Sequence, residues 1–159
     1  MSRIRAQPNS SEPWPFSARN TKPLSVSVIS TATNTVTATI AVGFNPRAVA
    51  VSPDGATAYV TNTLDSTVSM IDTATNTVVA TVPVGLYPHA VAVSPDGATA
   101  YVVTYPNGPD AVSVLDTASN LVVATVTVGS EPLGAAVHPA GTRAYVTNQV
   151  APAGSVTTL

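Results

Sequence analysis

The chain has 159 residues, 45% of them hydrophobic and only 9% charged, with a formal net charge of −2. Globular chains carry about 25% charged residues, and the lack of any cysteine excludes disulfides, thiolate nucleophiles and cysteine-based zinc sites. Val, Ala and Thr dominate, Leu, Lys and Glu are scarce, and 14 Pro and 9 Gly punctuate the chain, a composition that predicts an all-β protein with many turns.

Residues 1–25 differ from the rest. They hold Arg3, Arg5, Arg19 and Lys22 against Glu12 alone, in a Pro/Ser/Asn-rich context that predicts a disordered tail. The opening MSRIRAQPNSSEPWPF has basic residues but no apolar stretch behind them, so it does not read as a secretory signal. Asn9-Ser10-Ser11 is a formal glycosylation sequon, meaningful only in a secreted eukaryotic setting. From residue 26 onward the only basic residues are Arg47 and Arg143, against seven acids. That body offers no cluster of cations for nucleic-acid phosphates, and no apolar run approaches the ~20 residues of a membrane-spanning helix.

In chain order, Val26–Ile29 reads as a strand, and STATN turns it into a second apolar segment ending at Gly43. The next unit is read most fully. Its first strand is Arg47–Val51, turned by Ser52-Pro53-Asp54-Gly55, where Pro presets φ, Asp bonds to nearby backbone and Gly takes positive φ. The second strand is Thr57–Thr61 and the third Val68–Ile71, followed by a turn through Asp72 and Asn76. The fourth is Thr77–Val84, with Pro83 suited to an outer edge. The thirteen residues AVAVSPDGATAYV occur at 48–60 and again, unchanged, at 90–102. Tyr59, Tyr101 and Tyr145 mark one position in three copies, spaced 42 and 44 residues apart. The segment from Ser30 recurs from Asp72 and Asp116, while the third turn has become His138-Pro139-Ala140-Gly141. A period of about 40–45 residues built from short strands is the mark of propeller blades. Strands one and two, AVAV and AYV, are apolar on both faces, as sheets stacked on both sides require.

AYVTN at 58–62 and 144–148, with VAVSPDG and MIDTATNTVVATVPVG between, resembles the YVTN-type β-propeller repeat of bacterial and archaeal secreted and surface-layer proteins. The resemblance covers residues 26–159; YVVT at 101–104 departs from it. It implies blades of four antiparallel strands and an extracellular, cell-surface or periplasmic setting. Expected units are a non-propeller tail (1–25), a partial blade (26–43), blades at 44–85 and 86–129, and a partial blade (130–159). The fold class is therefore all-β, a partial β-propeller of about three blades in an open arc. A closed ring takes about four to eight blades. The apolar terminal faces call for a cover: the rest of a larger propeller, of which this is a fragment, or a second copy closing a ring of six; a stable open arc is the third reading.

Between copies, the SPDG and TATN turns hardly vary, whereas the blade-to-blade links and the two–three loops vary freely. A meander puts the variable segments at one end of every sheet and the constant turns at the other. Per-repeat variation on one face often marks a binding side, and the candidate binding residues are Phe44, Arg47, Tyr87, His89, Tyr105 and Glu131. Pro53, Asp54, Gly55, Pro95, Asp96 and Gly97 are structural turn residues on the opposite face. His89 and His138 fall on opposite faces, so no metal site is expected. No serine-hydrolase, zinc-protease, P-loop or dinucleotide motif occurs, and neither catalytic residues nor cofactors are expected. The expected function is a non-enzymatic scaffold presenting its variable face to a protein or surface polymer, with self-association through blade faces also open. The alternative is an enzyme-derived propeller, lactonase-like or quinoprotein-like, without its active site.

Overall fold

The turn chemistry read above reverses the chain at every SPDG and TATN segment. The computed structural model describes residues 24–105, 110–150 and 156–159, and the expectation for the tail falls almost wholly outside them. Regular structure among the described residues is entirely β-strand. Strands β1 (Ser25–Ser30) and β2 (Thr35–Ala41) form an antiparallel pair. A first four-stranded blade follows: β3 (Pro46–Val51), β4 (Thr57–Asn62), β5 (Thr67–Asp72) and β6 (Thr77–Pro83). The second blade holds β7 (Pro88–Val93), β8 (Thr99–Thr104), β9 (Ala111–Asp116) and β10 (Leu121–Thr127). A three-stranded sheet of β11 (Ser130–Val137), β12 (Ala144–Val150) and β13 (Val156–Thr158) ends the series. All pairings are antiparallel between consecutive strands, and the inner strands β3, β7 and β11 pack side by side. The fold is a partial β-propeller in an open arc.

The turns are built from their own side chains. The Ser52 hydroxyl donates to Asp54 Oδ1, which also accepts the Ala56 N–H at 3.0 Å, while Ser52 Oγ accepts the Thr57 N–H at 2.9 Å. The second copy repeats this through Ser94, Asp96, Ala98 and Thr99. At the other turn, Asp72 Oδ1 accepts the Thr75 N–H at 2.7 Å and Asn76 takes a left-handed φ of 54°. The two turns of a blade are tied by Thr73 Oγ1 donating to the Gly55 carbonyl at 2.6 Å. The Ser52 hydroxyl and the Ala56 N–H hold the Asp54 carboxyl below its ordinary range, and Thr75 does the same for Asp72.

Blade-on-blade packing supplies the core. Tyr59, Val68, Met70 and Val82 of the first blade pack on Val91, Ala100, Val102 and Leu115 of the second. A second cluster joins Ile40 of β2 to Val60 and Ile71, and a third joins Val103 and Val112 to Val146. The small Ala48 and Ala50 sit at the inner strand, where blades converge. One expectation needs correction: the inner strands are not all buried on both faces. Val49 and Val51 on β3 are 57% and 54% exposed, because among the described residues the β1–β2 pair in front of them has no inner strands. At the other end Tyr145 is 37% exposed, whereas its counterpart Tyr59, with a full blade against it, is 2% exposed.

The last two residues of AYVTN have distinct mechanical roles. Near the start of β3 the ladder slips register, and the Thr61 hydroxyl accepts the Ala48 N–H at 3.0 Å; Thr147 does the same for Gly134. Asn62 is fully buried and donates to Thr67 Oγ1 and Ser69 Oγ. The glycine ending each fourth strand lies directly on the next blade's residue at this position. A Cβ at Gly43 would stand 2.7 Å from Asn62 Cγ, one at Gly85 2.9 Å from Thr104 Cγ2, and one at Gly129 2.8 Å from Asn148 Cγ. Each outer strand, in turn, carries a bulge: Thr37, Val79 and Val123 are skipped in the register of β2, β6 and β10.

These contacts set two expectations for chemical denaturation. Tyr59→Ala is expected to cost about 3–4 kcal/mol, the range for emptying a buried aromatic site, while Tyr145→Ala costs about 1 kcal/mol or less, as at exposed positions. Gly129→Ala is expected to lose about 1–3 kcal/mol from overpacking against Asn148; an unchanged unfolding midpoint would contradict the interlock.

Candidate binding face

Pro46, Pro88 and Pro132 stand at the starts of the three inner strands, where each link from the previous blade arrives. The residues just before them, Asn45, Tyr87 and Glu131, all have left-handed backbone, with φ of 56°, 51° and 54°. Proline disfavours the right-handed helical region for the residue preceding it. The left-handed bend then aims the carbonyl at the neighbouring two–three loop. Asn45 O accepts the Thr63 N–H at 3.0 Å, and Tyr87 O accepts the Tyr105 N–H at 3.1 Å. For residues as large as Tyr and Glu such backbone costs about 1–3 kcal/mol, so the strain sits where links and two–three loops meet. Across blades, Thr63 Oγ1 donates to Pro88 O at 2.8 Å.

Four of the six candidate residues form a connected row across three sheets. Arg47 and His89 occupy matching positions near the starts of β3 and β7, and Glu131 lies at the start of β11; these three sit in strands rather than in loops. The rings of His89 and Tyr105 approach with centroids 4.8 Å apart and planes inclined by 34°. Partial burial, and then the positive charge of Arg47, pushes the His89 pKa below its ordinary 6.5. Partial burial also raises the Tyr105 phenol, helped by the charge and hydrogen bonding of the Glu131 carboxylate and by the charge of Asp110. At neutral pH the row therefore presents a cation, a neutral imidazole, a protonated phenol and then two carboxylates. That is a pair of inclined aromatic rings with opposite charges on its two sides.

Tyr87 joins this row through its backbone bond to Tyr105. Phe44 is placed differently: its N–H donates to Asp65 Oδ2 at 2.7 Å, its carbonyl accepts the Leu64 N–H, and its ring is 45% exposed. Sequence reasoning passed over two features. Asp110 adds a second carboxylate near Tyr105, a residue present in the variable loop but given no role. A cleft of about 410 Å³ also opens beside Tyr105, lined by Pro83, Val84, Gly85, Leu86 and Thr104 among others. Because its walls come from two blades, no single repeat could disclose it. The SPDG turns form the opposite face, where Pro53 Cδ lies 3.7 Å from the Cβ position of Gly97. His138 serves its own turn, Nδ1 accepting the Ala140 N–H at 3.0 Å.

Stacked four-stranded meanders arranged around their inner strands define the class of β-propellers. A family model for YNCE-like β-propellers matches residues 9–109, and the chain belongs to that family. Among solved structures it is similar to hydrazine synthase of Kuenenia stuttgartiensis, with 31% identity and a TM-score of 0.80 over 85% of this chain and 39% of that one. It shares its fold with a functionally unknown protein from Desulfotomaculum acetoxidans DSM 771, at 20% identity and a TM-score of 0.67 over 84% of this chain and 46% of that one. The chain thus spans less than half the length of either structure. No curated protein matches it significantly.

The charge arrangement has a titration signature. In an NMR titration the His89 ring should protonate below pH 6.5, and Arg47→Ala should move that midpoint upward. Because the folded value lies below the unfolded one, His89 contributes stability that is present above pH 6.5 and lost as pH falls toward and through its folded value. A midpoint in Arg47→Ala equal to or below that of the parent protein would contradict the proximity of the two groups.

Proposed function

We propose that the chain is a non-enzymatic binding module of the YVTN type, presenting its variable face to a protein or a surface polymer. The observation that supports this reading is the convergence of Arg47, His89, Tyr105 and Glu131, residues that differ from copy to copy, on one side of the arc. Aromatic surface flanked by charge is the makeup of protein contact surfaces, where Tyr and Arg are over-represented. The left-handed Tyr87 and Glu131 fix the approach of the links, so the surface is formed before a partner arrives and association costs less ordering.

A second reading, an enzyme-derived propeller, has one observation in its favour, the 31% identity to the hydrazine synthase structure. A shared fold does not carry chemistry with it, since propellers host unrelated functions. A hydrolysis screen against sugar lactones separates the readings: turnover abolished by His89→Ala would favour the enzyme.

The binding reading is tested with immobilised protein probed by a peptide array and by purified cell-surface polysaccharides. Any probe held by the parent protein should bind at least about 10-fold more weakly to the combined Arg47→Ala, His89→Ala, Tyr105→Ala variant, a loss of about 1.4 kcal/mol, with an unchanged melting temperature. Full retention of binding by that variant would remove the face from consideration.

A further inference from the structure

We propose that residues 16–21 of this same chain form a strand that docks on the free edge of β1 and against β3, as the second strand of that partial blade. These residues lie outside the described part of the chain, and their composition predicts a disordered tail; the repeat register points elsewhere. β1 begins at Ser25 and its counterpart β5 at Thr67, 42 residues apart. Counting back by the same period sets Phe16-Ser17-Ala18-Arg19-Asn20-Thr21 beside Ala58-Tyr59-Val60-Thr61-Asn62-Thr63. Asn20-Thr21 then repeats Asn62-Thr63, and three residues lead from each into the following strand, so no gap is needed. The family match also reaches back to residue 9, well before β1.

The described residues hold the place such a strand would take. Among them, β1 is bonded on one side only, to β2. In the first four-stranded blade the corresponding place is filled by β4, which pairs with β5 and packs against β7 of the next blade. Between β1 and β3 a cleft of about 160 Å³ opens instead, lined by Ser25, Val26, Pro46, Ala48 and Val49 among others. The polar partners match as well. Asn62 Nδ2 donates to Thr67 Oγ1 at 3.0 Å and to Ser69 Oγ at 2.8 Å. Ser25 and Ser27 carry hydroxyls at those two positions, and Ser27 is exposed where Ser69 is buried. An Asn20 amide in the register of Asn62 reaches both. Thr63 Oγ1 donates across blades to the Pro88 carbonyl at 2.8 Å, and Thr21 is its counterpart toward Pro46. Ala58 pairs with Ile71, so Phe16 stands opposite Ile29, which is 59% exposed; an aromatic facing a β-branched residue is a favourable cross-strand pair. Ser17 and Arg19 replace Tyr59 and Thr61. The segment thus keeps the amide and hydroxyl contacts of the pattern without its tyrosine.

The parent chain has no cysteine, so disulfide trapping in the full chain reports this pairing directly. Val60 pairs with Ser69, and Ala18 and Ser27 hold those positions. Directly opposed residues of an antiparallel pair have Cα atoms about 4.5–5.5 Å apart, within the span a disulfide bridges. The double variant Ala18→Cys, Ser27→Cys should therefore oxidise to a bridge within one chain, read by mass spectrometry on the monomer band of a non-reducing gel. Ser17→Cys with Ser27→Cys is one residue out of register and should form its bridge at least about 10-fold more slowly. In hydrogen exchange on the parent chain, the amides of residues 16–21 should be protected at least about 10-fold relative to a free peptide of the same sequence, and Asn20→Ala should reduce that protection. A bridge joining two chains assigns the edge of β1 to another copy and overturns the proposal. Equal trapping of the two cysteine pairs, or exchange at the free-peptide rate, overturns it as well.

Discussion

Contact between one blade and the next is the interaction on which this structure rests. A four-stranded sheet with apolar side chains on both faces has nothing to hide them against alone, and isolated small sheets are marginal in water. The chain answers with repetition. Every buried cluster joins residues from two neighbouring sheets, and the exposure of the repeated tyrosines follows whether a neighbour stands behind them. The glycines at the ends of the fourth strands belong to the same logic. They let the backbone of one blade rest on Asn62, Thr104 or Asn148 of the next, a distance no other residue permits.

The candidate face is a by-product of that stacking. Inner strands that lie side by side bring their first residues into one row, so Arg47 and His89 become neighbours although 42 positions separate them in the chain. The links and two–three loops around them lie outside the three apolar clusters, touching across blades through backbone-directed bonds such as Thr63 to Pro88, and they differ from copy to copy. Constant turns at the opposite end are fixed by their own hydrogen bonds, in which Asp54 and Asp96 play identical parts. Constancy and variation therefore separate by face for a mechanical reason, and chemistry specific to this chain collects at one end.

Much of the fold was legible because repetition multiplies a weak signal. The strands of the best-read blade were placed within a residue or two, since Pro, Asp, Gly and Asn mark each reversal. The conditions at the ends were not fully legible: AVAV reads alike in β3 and β7, yet only β7 has a neighbour on both sides. The roles of Thr61 and Asn62 were hidden too, because their partners are a slipped backbone N–H and a glycine in another blade. Of the candidate site, the residue list could be drawn from variation alone. The ring contact between His89 and Tyr105, the influence of Asp110 and the cleft beside Leu86 depend on how blades meet, which no linear comparison of copies contains.

The bulges at Thr37, Val79 and Val123 have a consequence for how such molecules coexist at high concentration. An outermost strand with an unbroken row of amide and carbonyl groups would invite any passing strand to dock sideways, the first step toward fibrils. Kinking every rim strand at the same position spoils that template, and Pro83 withholds an N–H from β6 as well. Accretion at the perimeter is thereby obstructed in a chain this rich in β-branched residues.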